Sequence, residues 1–389
     1  MRQILCARSS APDLCDKLLL EPIVKLLLTG CLVPFFLVAQ GQPPRLLSPE
    51  VHPDKTVTFR LRSPNAVKVL LSREGAKAAE MVKDEKGVWS FTSPVLEPDM
   101  YGYSFNVDGT GMIDPVNPRM KLNLLNTNSL VHVPSANASL AWETRAVPRG
   151  HVHHHFFRSA ICDDERDFFV YTPPGYDARS EKVYPVLYLL HGFSDGANGW
   201  SEVGQAHVIL DNLIAQGTAR PMLVVMPLGY GTMEILQSLT RNADLAKKSY
   251  TLFSESLRKE VLPQVESTYR ASKDRTQRAL AGLSMGGAET LFVGLNHLEL
   301  FAWLGAFSSG GMPTDFEATW PSLDETVNEK LKLFWMSCGK DDFLFDTNNK
   351  FVAALQAKGV KPEYLVTEGA HTWLVWRRNL AAFASKLFR

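Results

Sequence analysis

The sequence predicts an α/β fold with a mostly parallel central sheet, preceded by a small all-β domain. The first observation behind this prediction is a set of short, alternating segments between residues 42 and 135. The second is a change of pattern from residue 151 onward, where apolar runs such as 184–190 and 222–226 alternate with helical patterns. Strands of a parallel sheet are buried on both faces, so they appear as nearly continuous apolar runs.

The all-β domain is predicted over residues 42–135. Its strand candidates are short, rich in β-branched and aromatic residues and separated by turn residues, and they are 56–62, 67–71, 87–92 and 101–107. Strands of this length and spacing are typical of a two-sheet sandwich of immunoglobulin-like type. Pro115 and Pro118 mark the end of this domain, and residues 136–150 are predicted to be a linker.

The α/β domain is predicted over residues 151–389. A third buried strand candidate at 333–336 joins the two already named. Helical spacing of apolar residues recurs between the strands, at 206–216, 247–269, 287–296, 347–358 and 373–388. This alternation predicts a sheet that is covered by helices on both faces.

The N-terminal segment has the pattern of an export signal. Residues 26–39 carry no charge, Lys25 precedes them and small residues follow. A charged start, a short apolar run and a small-residue end are typical of a secretory signal peptide, and the run is short for a transmembrane helix. We therefore expect a signal peptide over residues 1–41, a secreted or periplasmic protein and no stable membrane span. A buried core helix and a lipid anchor at Cys31 are the alternatives.

Charge and cysteine content exclude two classes of protein. The 41 Lys and Arg residues balance the 41 Asp and Glu residues, so overall charge gives no support for nucleic-acid binding. Cleavage of the signal peptide would leave only Cys162 and Cys338 of the five cysteines. Two cysteines cannot make a disulfide scaffold, so the mature chain must be stabilised by its core. The oligomeric state is not predicted.

Ser284 is the candidate nucleophile. It lies in Gly-Leu-Ser-Met-Gly, residues 282–286, between a predicted strand and a predicted helix. Glycines on either side permit the sharp turn that exposes a serine hydroxyl at a helix N-terminus, which is the nucleophile elbow of the α/β-hydrolase fold. The same pattern recurs at 192–196, but turn-like residues follow it instead of a helix. We therefore assign Ser194 to the loop that contributes to the oxyanion hole.

A serine hydroxyl needs a general base, which in this fold follows the serine along the chain. Only His297 and His371 lie downstream of Ser284. His297 ends the predicted elbow helix and is interpreted as a surface residue. His371 lies in a loop between a strand and the last helix, so it is predicted to be the base.

The carboxylate that orients the base is expected on a loop after the preceding strand. Asp341 and Asp342 both lie on such a loop. Asp346 fits better as a cap of the following helix, and Glu368 is too close to His371 in the chain to be preferred. From the residue pattern, both Asp341 and Asp342 stay open.

The oxyanion of an acyl-transfer reaction needs two N–H groups aimed at it. The backbone amide of Met285, directly after the nucleophile, and that of Phe193, after a His-Gly pair, are the candidates. Trp200, Trp373 and Trp376 flank the predicted loops. Each is either a platform for an aromatic or sugar group of the substrate or a core residue.

Four histidines lie near the start of the α/β domain: His151, His153, His154 and His155. Alternate residues of a strand point to opposite faces, so three of the four share a face. No acidic or cysteine partner is close in the sequence. We therefore expect a half-exposed first strand, and we expect neither a metal nor another cofactor.

Three segments of the α/β domain together resemble a known family: His-Gly-Phe-Ser-Asp at 191–195, Ala-Gly-Leu-Ser-Met-Gly-Gly at 281–287, and Gly-Ala-His-Thr-Trp-Leu-Val-Trp at 369–376. They resemble the esterase D / carbohydrate esterase family 1 group, which includes feruloyl esterases and acetyl xylan esterases. In that group the acid follows a Cys-Gly-x-x-Asp segment. The corresponding residues here are 338–342, so the resemblance selects Asp342.

The front domain resembles early-set domains related to carbohydrate-binding module family 48, through residues 101–107 and 114–118. Together the two resemblances imply a secreted serine carboxylic-ester hydrolase. The implied partner is a feruloylated or acetylated plant cell-wall polysaccharide or oligosaccharide, and a feruloyl esterase is the leading expectation. An acetyl xylan esterase and a siderophore (enterochelin-type) esterase are alternatives. A carbohydrate-binding protein is the non-enzymatic alternative.

Overall fold

The computed structural model describes residues 45–237, 242–313 and 315–389 of the chain. Leu46–Arg389 form one compact unit. The predicted signal peptide and Cys31 lie outside the described residues, so export and lipid anchoring stay predictions. In the part of the chain that is described, no helix has the length and apolar character needed to cross a bilayer.

Ten strands form two small antiparallel sheets in the front part of the chain. They are β1 (Glu50–Val51), β2 (Val57–Arg62), β3 (Val69–Arg73), β4 (Ala79–Glu80), β5 (Val82–Lys83), β6 (Val88–Thr92), β7 (Asp99–Val107), β8 (Thr110–Met112), β9 (Met120–Lys121) and β10 (Asn128–Val133). One sheet has the order β1-β2-β6-β5, and the other has the order β4-β3-β7-β10-β9 with β8 beside β7. The four predicted strands overlap β2, β3, β6 and β7.

The two front sheets enclose one core, and residues 50–133 are called the front sandwich below. Phe59 of the first sheet packs edge-on against Tyr103 of the second, with 4.7 Å between ring centroids. Trp89 and Phe105 belong to the same buried cluster. Only one face of each sheet meets the other sheet, which explains why buried and exposed residues alternate along these strands.

Eight strands form the main sheet. They are β11 (His151–Ser159), β12 (Asp164–Thr172), β13 (Val186–Leu190), β14 (Leu223–Pro227), β15 (Arg278–Leu283), β16 (Trp303–Phe307), β17 (Leu333–Gly339) and β18 (Glu363–Thr367). Their order is β11-β12-β14-β13-β15-β16-β17-β18. β11 and β12 pair antiparallel, β12 pairs antiparallel with β14, and all other pairs are parallel.

Helices cover both faces of the main sheet. The α-helices of the described residues are α1 (Ala206–Ala215), α2 (Glu234–Gln237), α3 (Ala243–Ser256), α4 (Leu262–Thr268), α5 (Met285–Asn296), α6 (Phe316–Thr319), α7 (Val327–Lys330), α8 (Phe345–Ala357) and α9 (Trp373–Ala384). Alternate residues of β13 enter two separate cores. Leu187 and Leu189 pack with α1 and α9, whereas Val186 and Tyr188 pack with α3, α4, α5 and α8.

The predicted linker, residues 136–150, is packed against the α/β part of the chain. Trp142 is buried in the same core as α1. The Glu143 carboxylate is also buried and accepts hydrogen bonds from the backbone N–H groups of Ser135 and Leu140. The Asn212 amide of α1 donates to the Glu143 carbonyl at 2.8 Å. These contacts attach the segment between the two parts of the chain firmly to helix α1.

A buried ion pair joins the front sandwich to α9. Arg377 of α9 lies 2.9 Å from Asp99 of β7, and both side chains are almost fully buried. The Arg377 guanidinium also donates to the carbonyls of Val203 and Met100. Arg378 meets the second oxygen of Asp99 at 2.9 Å. The sandwich is therefore bound to the last helix of the α/β part by the buried ion pair of Asp99 and Arg377 and by the half-exposed Arg378.

Asp99→Asn is expected to lower the free energy of unfolding by about 3 kcal/mol or more, because it leaves the buried Arg377 charge uncompensated. Chemical denaturation followed by tryptophan fluorescence measures this change. The control is Glu50→Gln, which breaks a partly exposed ion pair with Arg60 in the same sandwich. That variant should lose no more than about 1 kcal/mol. Equal losses in the two variants would contradict the prediction.

Candidate active site

The parallel strands end at one edge of the main sheet, and the predicted site residues lie on the loops at that edge. Ser284 follows β15, Asp342 follows β17 and His371 follows β18. The loop with Phe193 and Ser194 follows β13, which is the direct neighbour of β15. In open α/β sheets this edge is where ligands bind.

Ser284 lies at a sharp turn between β15 and α5. Its φ of 52° and ψ of −115° lie outside the regions that a non-glycine residue normally adopts. Gly282 and Gly286 allow the turn. A Cβ at Gly286 would lie 2.5 Å from the His191 carbonyl oxygen, and one at Gly282 would lie 2.4 Å from the Gly286 carbonyl oxygen. The two glycines of the motif are therefore required by close backbone approach.

The structure brings Ser284, His371 and Asp342 together. The His371 Nε2 lies 3.0 Å from the Ser284 Oγ. The His371 Nδ1 lies 2.9 Å from Asp342 Oδ2 and 3.1 Å from Asp342 Oδ1. A nucleophile, a base and an orienting carboxylate within hydrogen-bond distance of one another can activate a serine for attack on a carbonyl.

Asp342 is the buried aspartate of its loop, and the Leu344 N–H donates to its carboxylate at 2.8 Å. Burial by itself raises the pKa of Asp342. The hydrogen bond and charge of His371, with the Leu344 N–H, outweigh burial, so the pKa lies below its ordinary value. Asp341 and Asp346 are exposed. The choice between neighbouring aspartates follows from which of them is buried beside His371.

Glu368 and His297, the other candidates for the acid and the base, form ion pairs with other residues. Glu368 forms an ion pair with Lys340. His297 follows the last residue of α5 and pairs with Glu299 at 3.1 Å. Neither residue contacts Ser284 or Asp342 in the described part of the chain.

The loop after β13 forms a tight turn beside Ser284. The Asp195 N–H donates to the Gly192 carbonyl at 3.2 Å, so Phe193 and Ser194 are the central residues of the turn. A Cβ at Gly192 would lie 3.4 Å from the Ser284 Cβ, which shows how close the turn and the nucleophile are. Phe193 lies in this turn and Met285 is the first residue of α5, directly after Ser284, so both predicted oxyanion residues belong to segments next to Ser284. We refer to residues 192–195 as the oxyanion turn.

Two buried titratable side chains lie at the oxyanion turn, His191 just before it and Asp195 at its end. His191 donates from Nδ1 to the Gly192 carbonyl and accepts from the Gly229 N–H at Nε2, both at 2.8 Å. Burial lowers the pKa of His191 to about 4, so its ring is neutral at neutral pH. Burial also raises the pKa of Asp195 to about 6, although Lys121 and the Asn123 amide act in the opposite direction. The sequence pattern pointed to neither role.

The sequence left two roles open for the three tryptophans, a substrate platform or a core residue, and all three side chains are buried. Trp200 is fully buried, and its indole N–H donates to the Leu190 carbonyl at 2.8 Å. Trp373 packs edge-on against Trp200 at 5.0 Å and is also buried. Trp376 is 6% exposed and packs edge-on against the His371 ring at 4.8 Å. A platform needs an open ring face, and these side chains serve instead as the core beneath the His371 loop.

Two phenylalanines are the exposed aromatic side chains at the site. Phe343 follows Asp342, is 69% exposed and lies 4.6 Å from the His371 ring. Phe193 of the oxyanion turn is 45% exposed. Phe343 was not among the residues predicted from the sequence, although its position next to Asp342 was a usable indication.

The histidines of β11 pack on aromatic residues. His154 stacks on Phe169 at 3.9 Å, and His155 stacks on Phe168 at 4.8 Å. His155 Nε2 also contacts the Tyr269 hydroxyl at 2.5 Å. Among the described residues no group of three or more His, Cys, Asp or Glu side chains is placed to hold a metal ion.

The front sandwich supplies groups to the site that the sequence analysis missed. The Glu74 carboxylate accepts a hydrogen bond from the Trp373 N–H at 2.9 Å, two residues after His371. The Asn123 amide donates to Ser194 and Asp195 of the oxyanion turn. These pairs join residues that are distant in the sequence, so no local motif could have indicated them.

Comparisons with known proteins show the family of the chain. Residues 159–387 match the family named Esterase, described as "Putative esterase". An endo-1,4-beta-xylanase/feruloyl esterase of Xylanibacter ruminicola is 31% identical over 349 residues, which are 88% of this chain and 46% of the relative. The chain thus spans about half the length of that relative.

Two solved structures extend the comparison. A ferulic acid esterase is 27% identical with a TM-score of 0.53, and the match covers 62% of this chain and 99% of that one. Enterochelin esterase of Shigella flexneri has a TM-score of 0.62 and covers 88% of this chain and 95% of its own, at 18% identity. The second likeness therefore concerns the fold alone. Because the family match covers more than half of the chain, this protein belongs to the Esterase family of carboxylic-ester hydrolases.

Proposed function

We propose that the protein hydrolyses carboxylic esters through an acyl-enzyme on Ser284. The observation that carries the proposal is the pair of hydrogen bonds that places His371 between Ser284 and Asp342. The Ser284 Oγ attacks the ester carbonyl while its proton passes to His371 Nε2. The tetrahedral intermediate then breaks its bond to the alcohol oxygen, which takes that proton and leaves.

A water molecule completes the reaction. It gives a proton to His371 Nε2 and attacks the acyl carbonyl, and the carboxylic acid leaves as the proton returns to Ser284. Asp342 accepts the Nδ1–H of His371 in both halves of the reaction, which keeps Nε2 free to accept a proton. The amides of Phe193 and Met285 hold the negative oxygen of each tetrahedral intermediate.

For the substrate we propose an aromatic acyl ester of a plant cell-wall polysaccharide, with a feruloyl ester as the leading case. Two features support it. The Xylanibacter ruminicola relative that is named a feruloyl esterase is 31% identical over 88% of this chain. The exposed rings of Phe343 and Phe193 provide apolar, aromatic surface beside His371 and the oxyanion turn, and such surface favours stacking with an aromatic acid.

A siderophore ester is the second candidate. The match to enterochelin esterase covers 88% of this chain, whereas the match to the ferulic acid esterase covers 62%. A match over 88% of the chain is longer than the α/β part, so it must extend into the front sandwich. An acetylated xylan is the third candidate, because it needs the same chemistry and a smaller pocket.

Rates on three esters test the substrate proposal: methyl ferulate, acetylated xylan and a catecholate siderophore ester. We expect the highest kcat/KM on methyl ferulate, because its ring can use the exposed phenylalanines. Phe343→Ala should lower that rate more than it lowers the rate on acetylated xylan. Equal rates on all three esters, or a preference for either of the other two, would contradict the feruloyl assignment.

Two further parts of the proposal rest on the sequence. We propose export of the mature chain after cleavage of residues 1–41, and mass spectrometry of the exported protein tests it. The front sandwich resembles a carbohydrate-binding module, and retention of the protein on xylan tests whether this part of the chain binds glycan or only braces the α/β part. If xylan retains the protein while neither wild type nor Ser284→Ala hydrolyses any ester, the function is carbohydrate binding without catalysis.

A further inference from the structure

One loop of the front sandwich lies directly against the oxyanion turn. The loop spans residues 122–127, between β9 and β10. The Asn123 Nδ2 donates to the Ser194 Oγ at 2.9 Å and to Asp195 Oδ1 at 3.0 Å. The Leu124 N–H donates to the Ser194 carbonyl at 2.7 Å. Three hydrogen bonds thus link this loop to two consecutive residues of the turn.

The orientation of the Asn123 amide is determined by its own loop. Its Oδ1 accepts from the Leu125 N–H at 3.1 Å and from the Asn126 N–H at 2.9 Å. Two backbone donors can be satisfied only by the oxygen end of an amide, so the nitrogen end must face the oxyanion turn. The Asn123 side chain therefore bonds its own loop through its amide oxygen and the oxyanion turn through its amide nitrogen.

The oxyanion turn needs such external support. Ser194 has a φ of 69°, a left-handed conformation at the third position of a turn where glycine is favoured. A non-glycine residue keeps this conformation when its surroundings enforce it. On the side of the α/β sheet, the Tyr230 hydroxyl donates to the Asp195 carbonyl at 3.1 Å. On the other side, the contacts come from Asn123 and Leu124.

We propose that Asn123 is a positioning residue for the oxyanion hole. By holding Ser194 and Asp195, it sets the orientation of the peptide that carries the Phe193 N–H, which lies one residue earlier. The inference rests on the proposed function, because an oxyanion hole has a purpose only in acyl transfer. It gives the front sandwich a part in the chemical step, in addition to any part in binding the polymer.

A pair of substrates isolates the oxyanion hole from the other parts of catalysis. They are p-nitrophenyl acetate and its thiono analogue, in which sulfur replaces the carbonyl oxygen. Amide donors placed for an oxygen stabilise the larger and more weakly accepting sulfur much less. Damage to the hole therefore lowers kcat/KM for the oxo ester more than for the thiono ester. A fall in the fraction of folded enzyme lowers both rates by the same factor and leaves their ratio unchanged.

Three variants supply the comparison. Asn123→Asp keeps the oxygen that accepts from Leu125 and Asn126 but loses the donors to the oxyanion turn. Asn123→Ala loses the same donors without adding a charge. Asn126→Asp is the matched control, because it adds the same charge in the same loop at an exposed residue three positions away.

We expect both Asn123 variants to lower kcat/KM on the oxo ester by about 10- to 100-fold, since a displaced donor costs somewhat less than a deleted one. The ratio of oxo to thiono rates should fall about tenfold or more in both variants, and Asn126→Asp should keep the wild-type ratio. An unchanged ratio of oxo to thiono rates in Asn123→Ala overturns the inference. This holds even if Asn123→Asp lowers the ratio, because the added charge alone would then explain the effect. Failure of the proposed function would look different, because wild type and Ser284→Ala would then be equally inactive on the oxo ester.

Discussion

Ser284→Ala is expected to lower kcat/KM on p-nitrophenyl acetate by about a thousandfold or more, because no acyl-enzyme can form without the hydroxyl. The base and the oxyanion turn stay in place, so any residual rate would come from water activated by His371. Release of p-nitrophenol under steady-state conditions measures the loss. A burst of product in wild type, absent from the variant, would show the acyl-enzyme directly.

The second Gly-x-Ser-x-Gly serine provides the matched control. Ser194→Ala removes a hydroxyl that accepts from Asn123 and makes no contact with His371 in the described residues. We expect it to lose at most about tenfold, since the Asn123 amide still holds Asp195. Both variants should unfold at nearly the wild-type temperature. If Ser194→Ala lost as much activity as Ser284→Ala, or if Ser284→Ala kept a tenth of the wild-type rate, the assignment of the nucleophile would fail.

Asp342→Asn is expected to lower kcat by about 10³- to 10⁴-fold while the fold is retained. The carboxylate accepts the Nδ1–H of His371 at 2.9 Å, which leaves Nε2 as the acceptor for the Ser284 proton. An asparagine amide at this position can donate to Nδ1. The imidazole would then carry its proton on Nε2, where it cannot act as the base.

The loss in Asp342→Asn should persist across the pH range in which the wild type is active, and a neighbouring aspartate separates it from a general loss of charge. Because the pKa of Asp342 lies below its ordinary value, the wild-type carboxylate stays ionised at mildly acid pH. The variant should therefore be impaired at every pH at which the wild type is active. Asp341→Asn is the control, since its exposed carboxylate should change kcat by no more than about twofold. Similar losses in both variants would contradict the role of Asp342.

Much of the fold and the sharp turn at Ser284 follow from local patterns in the sequence. The apolar runs of β13, β14, β15 and β16 identify strands buried on both faces, because neither face of such a strand is exposed to water. Glycines at 282 and 286 identify the turn at Ser284, since a side chain there would collide with the backbone. Both features depend on residues that are close in the sequence, so a short segment is enough to predict them.

His371 could also be selected from local patterns, but the choice between two aspartates needed more than the residue pattern. His371 follows a strand and precedes a helix, and chain order excludes most other histidines. Asp341 and Asp342 are adjacent and chemically identical, and the family resemblance favoured Asp342. The structure separates them by burial, because only one side chain of the pair can point to the inside of the loop.

The sequence by itself determined the alternation of strands and helices, the strained serine turn and the short list of residues able to act as its base and acid. The tertiary structure decided which aspartate meets His371, that Trp200 and Trp373 are buried, and that Asn123 and Glu74 of the front sandwich contact the site. The physical reason is the range of the forces involved. Backbone conformation depends on near neighbours, whereas burial and hydrogen bonds such as that from Asn123 to Ser194 arise only when distant segments pack together.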